Sequence, residues 1–122
     1  MATRISTDDI QLKRAYEKPR PDDGIRILVD RLWPRGLSKK KAGIDQWLKN
    51  IAPSTDLRKW FAHDPARWDE FRKRYITELR HHAEELEEIR RLARANRITL
   101  VYAARDELRN EAVVLRDVLA RK

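Results

Sequence analysis

The sequence contains no cysteine. That excludes a disulfide framework, a cysteine-based zinc site and a thiol nucleophile, and it fits a reducing compartment. Glycine is scarce: Gly24, Gly36 and Gly43 are too scattered to form a glycine-rich phosphate loop, and there is no Gly-x-Ser-x-Gly nucleophile elbow. The three histidines are His63, His81 and His82. None are spaced four apart as in a zinc-binding helix, and the adjacent pair points apart. No run of about 18 apolar residues exists, so no transmembrane helix is expected. The first residues lack the apolar stretch of a signal peptide. Repeats and low-complexity segments are also missing. The cytoplasm is the expected location, and no membrane, metal or cofactor is implied.

What is present suits one ordinary domain over residues 1–122. Apolar residues make up 41% of the chain, enough for a core without staples. The net charge is +8, unevenly spread. Residues 1–60 hold 14 Lys/Arg against 8 Asp/Glu, a balance of +6, and residues 61–122 hold 14 against 12, a balance of +2. Such a basic half reads either as a solubilising surface or as a face for nucleic acid or a phosphorylated ligand.

Residues 1–9 are polar and expected to fray. Alternation over Ile10–Tyr16 predicts a half-exposed strand. Residues 17–24 (EKPRPDDG) form a turn-rich connection. Residues 25–32 (IRILVDRL) carry apolar groups on both faces, which predicts a central strand covered on both sides. Ser38 caps a short helix through Ala42. Residues 45–51 read as a short strand, and Ser54 caps a helix over 55–62. Asp64-Pro65 starts a helix running to about Ala95, with an apolar stripe through Trp68, Phe71, Tyr75, Leu79, Leu86, Ile89 and Leu92 and a break near His81-His82. On its wet face, Glu84, Glu85, Glu87 and Glu88 can pair with Arg90, Arg91 and Arg94. Residues 98–104 (ITLVYAA) predict a buried parallel strand. Asn110 caps a last helix with Ala112, Leu115, Val118 and Leu119 on its apolar face. The expected fold is α/β: a small, open, mostly parallel sheet of about four strands flanked by helices.

Ligands of open α/β sheets sit beyond the carboxyl ends of the strands. Two loops there are the candidates, Asp30–Gly36 and Arg105–Asn110. If their strands are parallel, Arg31, Arg35, Arg105 and Arg109 gather at the start of the last helix. Backbone N–H groups and arginine forks would then make an anion site. The ligand-binding candidates are Arg31, Trp33, Arg35, Gly36, Arg105, Asp106 and Asn110. The competing reading is a fixed ion network of Asp30 and Arg31 with Asp106. Asp106 and His63 are the weak catalytic candidates, although nearby cations make Asp106 a poor base. The expected partner is an anionic small molecule. The alternatives are a nucleic-acid backbone, through Lys39, Lys40, Lys41, Lys49, Arg58 and Lys59, and a non-catalytic assembly surface around Trp60 and Phe61. Trp33 and Trp60 are the tryptophans expected at the surface. Oligomeric state is left open.

Several blocks together resemble the YeaO-like proteins, a bacterial and archaeal family defined by a domain of unknown function. They are residues 29–36 (VDRLWPRG), 47–54 (WLKNIAPS), 57–68 (LRKWFAHDPARW), 100–106 (LVYAARD) and 110–115 (NEAVVL). The resemblance spans residues 10 to 120. It implies no particular substrate, cofactor or catalytic residue, but it marks the same two loops and the His63-Asp64-Pro65 corner. Members often carry His where this chain has Arg109, and Lys where it has Arg105. If that His were a proton donor, this chain could not use it, whereas a merely cationic role would survive.

Overall fold

A computed structural model describes residues 5–121. Four strands form one sheet in the order β1-β4-β2-β3: β1 (Ile10–Arg14), β2 (Ile25–Leu28), β3 (Gln46–Trp47) and β4 (Ile98–Tyr102). Every pairing is parallel. The register sets Leu12 beside Leu100 and Leu100 beside Ile27, so each strand turns alternate residues to the same face.

The two faces are covered unequally. One face carries Ile10, Ile98, Leu100, Tyr102, Ile27 and Val29, and all the longer helices pack there. These are α2 (Thr55–Phe61), α3 (Trp68–Leu79), α4 (Ala83–Ala95) and α5 (Glu111–Ala120). The other face holds a small cluster of Ala15, Leu28 and Val101, sheltered by Trp33, Leu37 and Ile44. The short α1 (Lys39–Ala42) follows Leu37 in the chain. β4 is buried at all five positions because it lies between two strands and under helices.

Most expected elements are present, with tighter bounds. Ser38, Ser54 and Asn110 each accept a backbone N–H at a helix start. The long helix breaks as the sequence suggests: Arg80–His82 form a 3-10 turn between α3 and α4. Three readings need correction. β2 stops at Leu28, and Arg31–Leu32 form a bend outside the ladder. Within 45–51 only Gln46–Trp47 pairs, and Lys49–Ile51 coil into a 3-10 turn. Of the segment expected to fray, residues 1–4 lie outside the described residues. Residues 5–9 are anchored: Ile5 is buried in the core and Ser6 caps a turn over Thr7–Asp9.

Arg90 also departs from the wet-face reading. It pairs with Glu87 at 3.0 Å but is buried, and its Nε and Nη2 donate to the carbonyls of Leu119 and Val118. It thus satisfies the last carbonyls of α5.

The link from β1 back to β2 is short and contains a single 3-10 turn, Pro21–Asp23. It closes on Asp23, which is 1% exposed. Asp23 accepts from Lys13 Nζ at 2.9 Å, Arg26 Nη1 at 2.7 Å and the Arg20 N–H at 3.0 Å. Arg26 spends its other nitrogens on the carbonyls of Gly43 and Ala42. The Thr99 hydroxyl donates to the Asp23 carbonyl at 2.7 Å. Burial alone would raise the Asp23 pKa; the hydrogen bonds from Lys13, Arg20 and Arg26 outweigh it and hold the carboxyl below its usual range. Gly24 follows with φ +66°, and a Cβ there would lie 2.0 Å from the Arg97 carbonyl oxygen, so only glycine fits.

At the far end of α2, Ala62 and His63 both adopt left-handed backbone, φ 47° and 57°. Such a conformation costs a residue with a Cβ roughly 1–2 kcal/mol. Ala62 is exposed and serves as the helix C-cap. Ala62→Gly is therefore expected to stabilise the fold by about 0.5–1 kcal/mol, read as a raised urea midpoint with an unchanged slope. A lowered midpoint would show that the corner is not strained.

Candidate functional site

Because β2 and β4 are parallel neighbours, their carboxyl ends coincide. Leu28 sits beside Val101, and two residues later the Ala103 N–H donates to Asp30 Oδ2 at 2.9 Å. The loops after both strands, the end of α2 and the start of α5 enclose a cavity of about 710 Å3. That is within the usual range for a small-molecule site.

The two candidate loops do meet there. Arg31, Trp33, Arg35, Arg105, Asp106 and Asn110 all border the cavity, and so does His63. Gly36 and Arg109 do not. Gly36 is exposed with φ +77° and serves the turn after Pro34.

Their hydrogen bonds separate bracing from free groups. Arg31 donates through Nε to the Pro53 carbonyl at 3.0 Å and through Nη2 to Ala52 at 3.1 Å. It ties the β2 loop to the entry of α2. Trp33 is half-buried and donates to the Leu37 carbonyl at 2.6 Å, edge-on to Trp47. Asn110 is buried, accepts from the Val113 N–H and donates to the Asp106 carbonyl, so its side chain is committed to capping α5. Asp106 accepts the N–H groups of Leu108 and Arg109 and pairs with Arg109 at 3.4 Å. The Leu108 and Arg109 N–H bonds and the Arg109 charge hold its pKa below the usual value. Asp106 organises its own loop and is a poor proton acceptor.

The ion network of Asp30 and Arg31 with Asp106 does not form. Arg31 bonds to carbonyls, and the ion pair Asp106 makes is with Arg109. By contrast Arg35, Arg58 and Arg105 are exposed at the cavity and, among the described residues, their guanidinium groups make no hydrogen bond or ion pair. His63 is exposed and rests its ring 6.1 Å from Phe61.

One group escaped the sequence reading. Glu111, the first residue of α5, borders the cavity beside the Asp30 carboxyl. Burial and the adjacent Asp30 push its pKa well above the usual value. A glutamate in a first helical turn ordinarily complements the helix dipole. That ordinary role hid it.

The tryptophan readings divide. Trp60 is half-buried beneath Arg67 and Arg74, with guanidinium carbons 5.3 and 4.3 Å from its ring. Phe61 is buried, stacked on Phe71 at 4.3 Å, so Trp60 and Phe61 form no open apolar patch. Among the described residues, the exposed large apolar ones are Tyr16, Leu32, Trp47 and Leu108 instead. Lys39, Lys40, Lys41, Lys49 and Lys59 are exposed. No group of three or more His, Cys, Asp or Glu suited to a metal occurs among the described residues, and no described helix is long and apolar enough to cross a membrane.

Residues 9–122 match the family model described as the inactive DUF488-N3 subclade. The chain is 43% identical over 111 residues to the uncharacterized protein YeaO of Escherichia coli (strain K12), covering 91% of this chain and 96% of that protein. It is 44% identical over 110 residues to the uncharacterized protein Rv3073c of Mycobacterium tuberculosis (strain ATCC 25618 / H37Rv), covering 90% of this chain and 92% of that protein. No solved structure matches. With blocks from both cavity loops already resembling that family and the match now spanning nearly the whole chain, this protein belongs to the YeaO-like family, within the subclade described as the inactive DUF488-N3 proteins.

Proposed function

We propose that the protein binds a phosphorylated or carboxylated small molecule in the cavity at the carboxyl ends of β2 and β4. The observation that carries this reading is the convergence of Arg35, Arg58 and Arg105 on one concavity with no acidic partner among the described residues. Guanidinium groups without a carboxylate partner favour a bidentate anion. The braced Arg31 adds fixed positive charge to the same wall.

Binding without turnover fits the site better than catalysis. Asp106 is held ionised by its own turn, and His63 has no carboxylate partner among the described residues. The description of the matched subclade as inactive agrees with this.

The test is calorimetric titration of the full chain with inorganic phosphate and simple alkyl phosphates and carboxylates at low salt. Arg35→Ala with Arg105→Ala is expected to weaken binding by at least about tenfold, or ~1.4 kcal/mol, with the melting temperature unchanged because both side chains are exposed. Undiminished affinity in the double variant would overturn the reading. Steeply salt-dependent binding to a DNA or RNA duplex, but none to the small anions, would favour a nucleic-acid backbone instead.

A further inference from the structure

The cavity carries charged groups of both signs. Its outer border carries the exposed Arg35, Arg58 and Arg105. Its inner wall carries the partly buried carboxyl groups of Asp30 and Glu111. Asp30 Oδ2 accepts the Ala103 N–H at 2.9 Å. Arg31 is the nearest cation in sequence, but its Nε and Nη2 are turned to the carbonyls of Pro53 and Ala52, and it forms no ion pair with either carboxyl. The walls between the two ends include Phe61 and Phe71, which cannot satisfy a charge. A partly buried negative charge facing an open cavity favours a ligand that brings a positive or N–H-rich group to it.

We infer that the cavity takes a zwitterionic small molecule, with an amine or amidine on the Asp30–Glu111 pair and a phosphate or carboxylate among Arg35, Arg58 and Arg105. This rests on the anion-binding reading of the outer border. It adds what that reading leaves open, the chemistry of the ligand's other end. Glu111 is then the specificity-determining partner of Asp30 in the inner seat.

The experiment is an NMR titration of the intact chain with matched probes. These are straight-chain alkyl phosphates, the corresponding alkylamines, and ω-aminoalkyl phosphates with two to six methylene groups, which sample the unknown separation of the two ends. At least one aminoalkyl phosphate is expected to bind about tenfold tighter than the alkyl phosphate of its length, or ~1.4 kcal/mol. Amide shifts should appear at both Ala103 and Arg105. In the near-isosteric Glu111→Gln, Asp30→Asn variant that advantage is expected to vanish while alkyl phosphate binding persists or tightens. The wild-type comparison decides the matter even if the variant does not fold. If alkyl phosphates bind but no amino member binds more tightly, the inference fails and the anion site stands. If the alkyl phosphates and every aminoalkyl phosphate fail to bind at about 10 mM, the anion reading fails as well. If the amine alone binds as tightly as the aminoalkyl phosphate, the inner seat stands and the outer one is overturned.

Discussion

Replacing Asp23 by alanine is expected to cost about 3–5 kcal/mol of folding stability, the range typical of removing one partner from a buried ion pair. The side chain is 1% exposed and pairs with both Lys13 and Arg26. Lys13 Nζ can recover some solvation, since its side chain is 15% exposed, but Arg26, at 4%, cannot. Arg26 would keep its bonds to Gly43 and Ala42 and be left as a buried charge without a counterion. Because Asp23 also fixes the crossover between β1 and β2 through Arg20 and Thr99, the loss should appear as a lower urea midpoint and faster exchange of β2 amides. The pH dependence supplies a second check. The folded pKa lies below the unfolded value of about 3.9. The contribution is therefore present above that unfolded value and is lost as pH falls through the folded one. The variant should be flatter than wild type in that acidic window. A cost under about 1 kcal/mol would mean that water reaches Arg26 and that the network is not buried in solution.

Glu111 has the opposite sign. Its folded pKa is raised by burial and by Asp30, so the protonated form belongs to the folded state. Stability from this group is fully present below the unfolded value of about 4.3 and is lost as pH rises through the folded pKa. Subtracting the denaturation profile of Glu111→Gln from that of wild type isolates the group, since glutamine does not titrate. The difference is expected to turn against wild type with rising pH, at a slope approaching about 1.4 kcal/mol per pH unit within that window, the limit for one proton. Asp30→Asn should shrink the effect, because it removes the neighbouring negative charge while leaving the burial. A pH-independent difference between wild type and Glu111→Gln would show that no proton is held there.

The two effects also mark where reading the chain succeeds. Local chemistry announces itself. Ser38, Ser54 and Asn110 precede helices and cap them, because a side-chain oxygen answers orphan N–H groups a few residues ahead. The unbroken apolar run of β4 requires cover on both faces, and the strand is buried throughout. The short backbone reach between Asp30 and Ala103 follows once β2 and β4 are read as parallel, and with it the meeting of the two loops. What fails is partner choice among equivalent polar groups. Arg31, Arg35 and Arg105 look alike in the chain, yet one braces two carbonyls and the others are left free. Arg90 sits in a regular Glu/Arg pattern but turns inward to the end of α5.

By itself the sequence determined the α/β class, the helix starts, the break between α3 and α4, and the end of the sheet where the two loops meet. These depend on periodicity and on interactions spanning a few residues, which the chain carries wherever it goes. Only the tertiary structure decided that the thin face is held by Asp23 with Lys13 and Arg26. It alone brought Glu111 against Asp30, residues 81 positions apart in the chain, and set Arg58 with Arg35 and Arg105 around one cavity. Those contacts join residues with no local relation, and their energies come from burial and mutual orientation, which exist only once the strands are aligned and the helices packed.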